Sequence, residues 1–374
     1  MKDNNISKRE SNIELLRILC IISIIVHHIV VHGIKPQLES TTLFPAGQMF
    51  NNFVFYKRLI FLDFGAAFGK IANNIFILIS GYFLCEKIDF DLGKQLKKIL
   101  SQVLFASIIL IIISTIVGAC TQKPYTSYMS LSVFNDEWVF IGYYIAIIVI
   151  GRLFLNRVIQ KLDQKSFFAV VIALFAIVSL TFSRSIIYSI SANLVLVVTG
   201  LFFYCLGGYI KKYDCFKSAK TRTLLIILLL TVILMMASYR NTTLNDINKN
   251  LINGVPEYHQ NIRLYEEYSL VCMVIAVCIF ELARRVKLGE IVVINKLASA
   301  TFMVFLMHDN ELARSIYRNI KWIEPYHDNL GQFLGMLIVV TLALYVVGVV
   351  TWNLWTSILS STFRGTKNEH SKVQ

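Results

Sequence analysis

Runs of roughly twenty residues with almost no charge recur along nearly the whole of this sequence, and no other feature limits the fold so tightly. Hydrocarbon offers no water to an open backbone, so a run that crosses it must close its own hydrogen bonds as a helix. Charged residues make up only 16% of the 374, where a soluble domain carries about 25%. The expected fold class is all-α: a polytopic integral membrane protein whose apolar surface meets lipid.

The hydrophobic pattern predicts ten transmembrane helices, near 13–32, 66–85, 99–120, 137–155, 166–183, 189–210, 222–239, 266–283, 292–308 and 331–358. Two runs are broken by polar residues, Lys70, Asn73 and Asn74 in one and Asp136 and Glu137 in the other. An even number of crossings puts both termini on one side. Most of the 36 basic residues then fall on that side, including Lys87, Lys97, Lys98, Arg152, Lys211 and Arg284. Basic loops stay in the cytoplasm, so both termini are expected there. The net charge of +13 is accordingly a mark of orientation, with no nucleic-acid partner expected. The organisation expected is a cytoplasmic tail at 1–12, a transmembrane domain at 13–358 and a second cytoplasmic tail at 359–374. No small-x-small site follows the first run, so it is not expected to be a cleaved signal peptide. The seven cysteines form no CxxC pair and are expected to be packing residues.

The first run, "ELLRILCIISIIVHHIVVH" from Glu14 to His32, contains Arg17 and three histidines. An ionisable group in a span costs at least about 2.5–3.5 kcal/mol at mid-membrane, so it tends to face a partner, a cavity or a substrate. Eleven residues separate Arg17 from His28, ~16 Å along a helix and almost three full turns, so both lie on one face. Glu14 shares that face and can pair with Arg17. His32 fits an interfacial position, and His27, one step off the stripe, fits packing as well as function. A metal site on His28 and His32 lacks third and fourth ligands, and no metal is expected.

"NIELLRILCIISIIVHH" resembles the opening helix of the membrane-bound acyltransferase family 3, whose signature is an Arg, ten further residues and then a His. Here those positions are Arg17 and His28. "NNIFILISGYFL" is similar to the family's run ending in Ser-Gly-Tyr, and "DEWVFIGYYIAIIVIGRLFLN" to its Trp-Phe-(x)-Tyr span. "LFFYCLGGYIKKYD" resembles the sixth span, and "INKLASATFMVFLMHDN" the stretch closing in a Tyr-Leu-Ile-His-Glu pattern. Phe305 replaces a common Tyr, and Lys97 and Lys98 stand where many relatives have paired arginines. A lysine is a point charge and does not grip phosphate in two-point fashion.

The resemblance implies transfer of an acyl group, usually acetyl from acetyl-CoA, to a hydroxyl of a cell-envelope carbohydrate such as a capsule, an exopolysaccharide or a lipid-linked sugar. His28 is the expected general base, since a neutral imidazole can take the hydroxyl proton. Arg17 is expected to meet the anionic part of CoA, with Lys97 and Lys98 as helpers or as ordinary cytoplasmic-side charges. Asn74 can orient His28 or the substrate. Ser80, beside Gly81, fits close helix packing better than a nucleophile, with Tyr82 toward the same inner half. Trp138, Tyr143 and Tyr144 can stack on a sugar or anchor a span end. His308 and Asp309 can form a second polar site beside His28 or lie in solvent. The chain ends soon after the last apolar run, so a standalone enzyme of the bacterial plasma membrane is expected. The alternatives are a transporter or flippase, or a polymerase, of lipid-linked saccharide; no inverted repeat or paired broken helices favour transport.

Overall fold

The computed structural model describes residues 10–40, 53–87, 91–122, 138–253, 264 and 266–370. These residues are almost all helical, and no β-strand occurs among them. Asp136 and Glu137, residues 41–52, and the parts of the expected tails at 1–9 and 371–374 lie outside the described residues.

The chain begins with α1 (Ser11–Ile29), passes through a π turn at Val30–Ile34 and continues as α2 (Lys35–Ser40). Then come α3 (Phe53–Leu84), α4 (Leu92–Thr121) and α5 (Val139–Ile150). A second π turn at Gly151–Leu155 leads into α6 (Asn156–Lys161). The middle of the chain forms α7 (Gln164–Ser179), α8 (Thr181–Ile190), α9 (Ala192–Tyr213) and α10 (Thr221–Asn253). The last part forms α11 (Leu270–Arg285), α12 (Val292–Ser299), α13 (Thr301–His308), α14 (Glu311–Asn319), α15 (Ile323–Asp328) and α16 (Leu330–His370).

Among the described residues, seven helical segments are long and apolar enough to cross a membrane, or eight if α7 and α8, bent by 70°, count as one span. The expected run 266–283 becomes the 16-residue α11, because Ser269 caps it and accepts from the Cys272 N–H at 3.2 Å. The run 292–308 breaks at Ala300 into two eight-residue helices. Hydroxyls explain the break: Ser299 donates to the Asn295 carbonyl and Thr301 to the Ala298 carbonyl, competing with the helical ladder at both sides of Ala300. Leu225, Leu229 and Leu230 on α10, like Ile338, Val339 and Val346 on α16, point outward. They form a lipid-facing surface, and the protein is a multi-pass membrane protein.

At the centre, α3 packs on α1 and α9. A Cβ at Gly81 would lie 2.1 Å from the Tyr204 carbonyl oxygen, and one at Gly207 would lie 2.3 Å from the Leu78 carbonyl oxygen. Small residues on both helices therefore let the two backbones touch. One end of the bundle is tied by Glu281, fully buried, which accepts from Arg284 and Arg285 at 2.8 Å each. Arg284 also pairs with Asp214, and Arg285 donates to the Ala219 and Phe216 carbonyls, so the α9–α10 turn is held to the end of α11. A buried carboxylate without such partners would cost several kcal/mol.

Candidate active site

Helix directions set the geometry. A cavity of about 430 Å³ opens where Glu14 and Arg17 of α1 meet Leu84 of α3, Lys98 of α4 and Thr356 of α16. Following α1 forward, α3 backward, α4 forward and α13 forward all lead inward. The deep end is accordingly formed by Ile21, Phe76, Phe140 and Phe305. Charged groups gather at the mouth beside Phe83 and Trp355, and the far end is apolar and largely aromatic.

Arg17 is loosely held at this mouth. Its guanidinium lies 3.5 Å from Glu14 and 6.0 Å from the centre of the Phe83 ring, and its side chain is 30% exposed. The second carboxylate oxygen of Glu14 is buried with no hydrogen-bond partner among the described residues. Lys98 lines the cavity, whereas Lys97 is exposed and outside it. Ser80 donates to the Phe76 carbonyl at 2.9 Å and receives the Tyr144 hydroxyl at 3.1 Å. That pattern makes Ser80 part of the cavity wall, with Tyr144 beside it on the same wall. Tyr82 faces away, under Lys211 at 4.6 Å and against Phe280 at 5.5 Å.

Beyond the deep end, α1 and α13 bring two histidines together. The rings of His28 and His308 stack with centroids 5.0 Å apart and an interplanar angle of 20°. His308 is wholly buried, and its Nδ1 lies 2.9 Å from the Val304 carbonyl oxygen. A carbonyl only accepts, so this contact assigns the proton to Nδ1 and leaves a lone pair on Nε2. That Nε2 is buried and has no partner among the described residues. His28 Nδ1 lies 3.3 Å from Asp309 Oδ1, close enough for an ion pair but misaligned for a hydrogen bond. Contacts of this kind commonly tighten only when substrate binds.

The surroundings hold these groups from several sides. Arg314 of α14 donates to Asp309 Oδ1 at 2.9 Å. Trp138 donates to the Asp309 backbone oxygen at 2.8 Å, and Tyr317 to the His308 backbone oxygen at 2.6 Å. Trp138 is thus spent on positioning the chain, and Tyr143 is buried beside it. His27 contacts the Ala66 carbonyl at 2.7 Å and packs where Gly69 leaves room, 2.4 Å from that residue's absent Cβ. His32 lies in the π turn with its ring 5.6 Å from that of His28. Asn74 donates to the Glu267 backbone oxygen at 2.9 Å, and so fastens the start of α11 rather than His28. Lys70 lies 3.3 Å from the Glu267 carboxylate. No set of three or more His, Cys, Asp or Glu among the described residues is arranged to hold a metal ion.

The structure thus joins Glu14, Arg17, Ser80, Lys98 and Tyr144 around a cavity, and His28, His308 and Asp309 in a cluster behind it. Lys97 and Tyr82 fall outside both groups. Sequence reasoning passed over Gln102, Phe140, Trp352 and Trp355 on the cavity wall and Arg314 at the cluster, and noted Phe305 only as a departure from the family pattern. Of those passed over, Arg314 carried a signal: it lies on the strongly amphipathic α14, five residues after Asp309. Chemically, the assembly offers cations at an open mouth and proton-accepting nitrogens at a dry end. That suits a reaction between an anionic donor and a hydroxyl.

Comparison with known proteins bears on this reading. Residues 10–353 match the family model of the acyltransferase domain of acyltransferase family 3. No curated protein and no solved structure matches the chain significantly.

Proposed function

We propose, from the premise that this chain belongs to acyltransferase family 3, that it transfers an acyl group, acetyl in the simplest case, from acyl-CoA to a hydroxyl of a cell-envelope carbohydrate. The observation that carries this reading is a cavity with Arg17 and Lys98 at its mouth and a stacked histidine pair, His28 on the buried His308, behind its aromatic end. In this reading the transmembrane domain covers 13–358 and crosses ten times, and both tails and the cavity mouth face the cytoplasm. Among the described residues, seven long apolar helices, or eight with α7 and α8 taken as one span, support that reading, in which the shorter α11 and the broken α12–α13 are the remaining crossings.

CoA carries phosphates that need cationic partners, and Arg17 and Lys98 supply them where the cavity opens. The pantetheine arm reaches inward along α1 and presents the thioester to the histidines, over the ~16 Å between Arg17 and His28. His28 takes the proton as the acceptor oxygen attacks the thioester carbonyl carbon. A carbon–oxygen bond forms, the carbon–sulfur bond breaks, and the proton passes to the CoA sulfur. Asp309, itself fixed by Arg314, steadies the imidazolium formed on the way. His308 Nε2 offers a second lone pair to an acceptor hydroxyl. The acceptor is expected in the bacterial plasma membrane as a capsule, exopolysaccharide or lipid-linked sugar.

The test compares O-acetyl content of surface glycan in cells carrying the native chain, His28→Ala or neither, at matched membrane levels. Acetylation with the native chain alone supports the proposal. Equal acetylation in all three sinks it, and movement of lipid-linked sugar without CoA would point to a transporter.

A further inference from the structure

The deep end of the cavity has a shape that bears on which acyl group fits, and this rests on the proposal that acyl-CoA occupies the cavity. Phe305 is almost fully buried, lines the cavity and lies three residues before His308 on α13. Its ring centroid is 5.2 Å from that of Phe140 and 5.4 Å from that of His308. Phe140 is in turn braced by Tyr144, stacked at 5.8 Å, and by Phe76 at 6.4 Å. Rings from three helices therefore narrow the deep end of the cavity, and one of them, Phe305, lies edge-on against His308.

We propose that Phe305, backed by Phe140, is the residue that limits the acyl group to a short chain. A thioester entering from the mouth brings its acyl end against these two rings. An acetyl group fits beside them, its methyl against the two rings and its carbonyl carbon turned past the edge of Phe305 toward the histidines. Each added methylene must displace a ring that is held by neighbours on both sides, and a close-packed wall yields little. The same wall keeps water from the thioester. Water attack would form a carbon–oxygen bond, break the carbon–sulfur bond and release a carboxylic acid and CoA thiol without acylating any sugar. Trimming Phe305 should therefore change two things together, admitting longer chains and raising CoA release in the absence of acceptor.

The experiment uses the full-length protein in lipid nanodiscs with free CoA and acetyl-, butyryl-, hexanoyl- and octanoyl-CoA. Binding affinity and release of CoA thiol are measured for the native chain, Phe305→Ala, Phe305→Leu and Phe140→Ala. The native chain is expected to bind acetyl-CoA about 10-fold or more tightly than hexanoyl-CoA, a span typical of apolar pockets that run out of room. In Phe305→Ala that ratio should fall to about one or invert, with thiol release rising. Phe305→Leu and Phe140→Ala should move it partway, and they serve if the alanine variant does not fold. The readout is a ratio between chain lengths, which a general loss of folded protein leaves unmoved. A native chain that binds hexanoyl-CoA as well as acetyl-CoA overturns the inference, as does an unchanged ratio in all folded variants. Failure of every CoA species to bind the native chain would instead overturn the proposed donor.

Discussion

The two ends of the α1 stripe differ more than their shared helix suggests. At the mouth, Arg17 is 30% exposed and its best ion-pair contact is 3.5 Å long. At the other end, His28 stacks on His308 of α13, which is fully buried and whose ring is fixed by a backbone carbonyl and a phenylalanine edge. The mouth acts through charge, which water and salt weaken and which tolerates inexact placement. The cluster acts through geometry, and a buried lone pair without a partner costs about 1–3 kcal/mol unless a ligand satisfies it. A substrate that spans both ends would be caught by the first and aligned by the second.

The largest effect should come from the cluster. His28→Asn is expected to lower the transfer rate about 10²- to 10⁴-fold, as removal of a general base usually does, measured as acetyl transfer in isolated membranes. A loss below 10-fold would remove His28 from the chemistry. Asp309→Asn keeps the shape but not the charge that faces His28 and Arg314, and should cost about 10- to 100-fold, the range for a contact to a charged group. At the mouth, Arg17→Ala should raise the KM for acyl-CoA about 10-fold with little change in kcat, because its exposed charge binds donor in ground and transition state alike. Lys98→Ala should be milder, about 2- to 5-fold in KM, and the difference should fade as salt is raised. Salt sensitivity of the His28→Asn defect would blur the contrast between the two ends.

Much of this was legible in the sequence because it rests on periodicity along one helix. Apolar runs located the long helices, and an eleven-residue spacing put Arg17 and His28 on one face. Ser80 with Gly81 marked the close crossing of α3, confirmed by the contact of Gly81 with the Tyr204 backbone. The local break at Ala300 was missed, since hydropathy counts Ser299, Thr301 and Ala300 as parts of a run and ignores the carbonyls those hydroxyls occupy. The pairing of Phe140 with Phe305, and of Arg314 with Asp309, depends on which helices become neighbours. Phe140 looks ordinary in its own segment, and nothing in the segments of Phe305, Arg314 and Asp309 names the partner each one meets. Trp138 and Asn74 illustrate the same gap from the other side: both suited a ligand by type, and both are engaged with backbone oxygens of distant segments.

The central claim is a division of labour between the cationic mouth and the histidine cluster. Its most direct test is the steady-state kinetics of acetyl transfer as a function of acetyl-CoA, for the native chain, His28→Asn and Arg17→Ala in the same membranes. The account predicts that His28→Asn loses kcat with KM nearly unchanged, while Arg17→Ala raises KM with kcat nearly unchanged. Two variants that lose kcat and gain KM in equal proportion would contradict it.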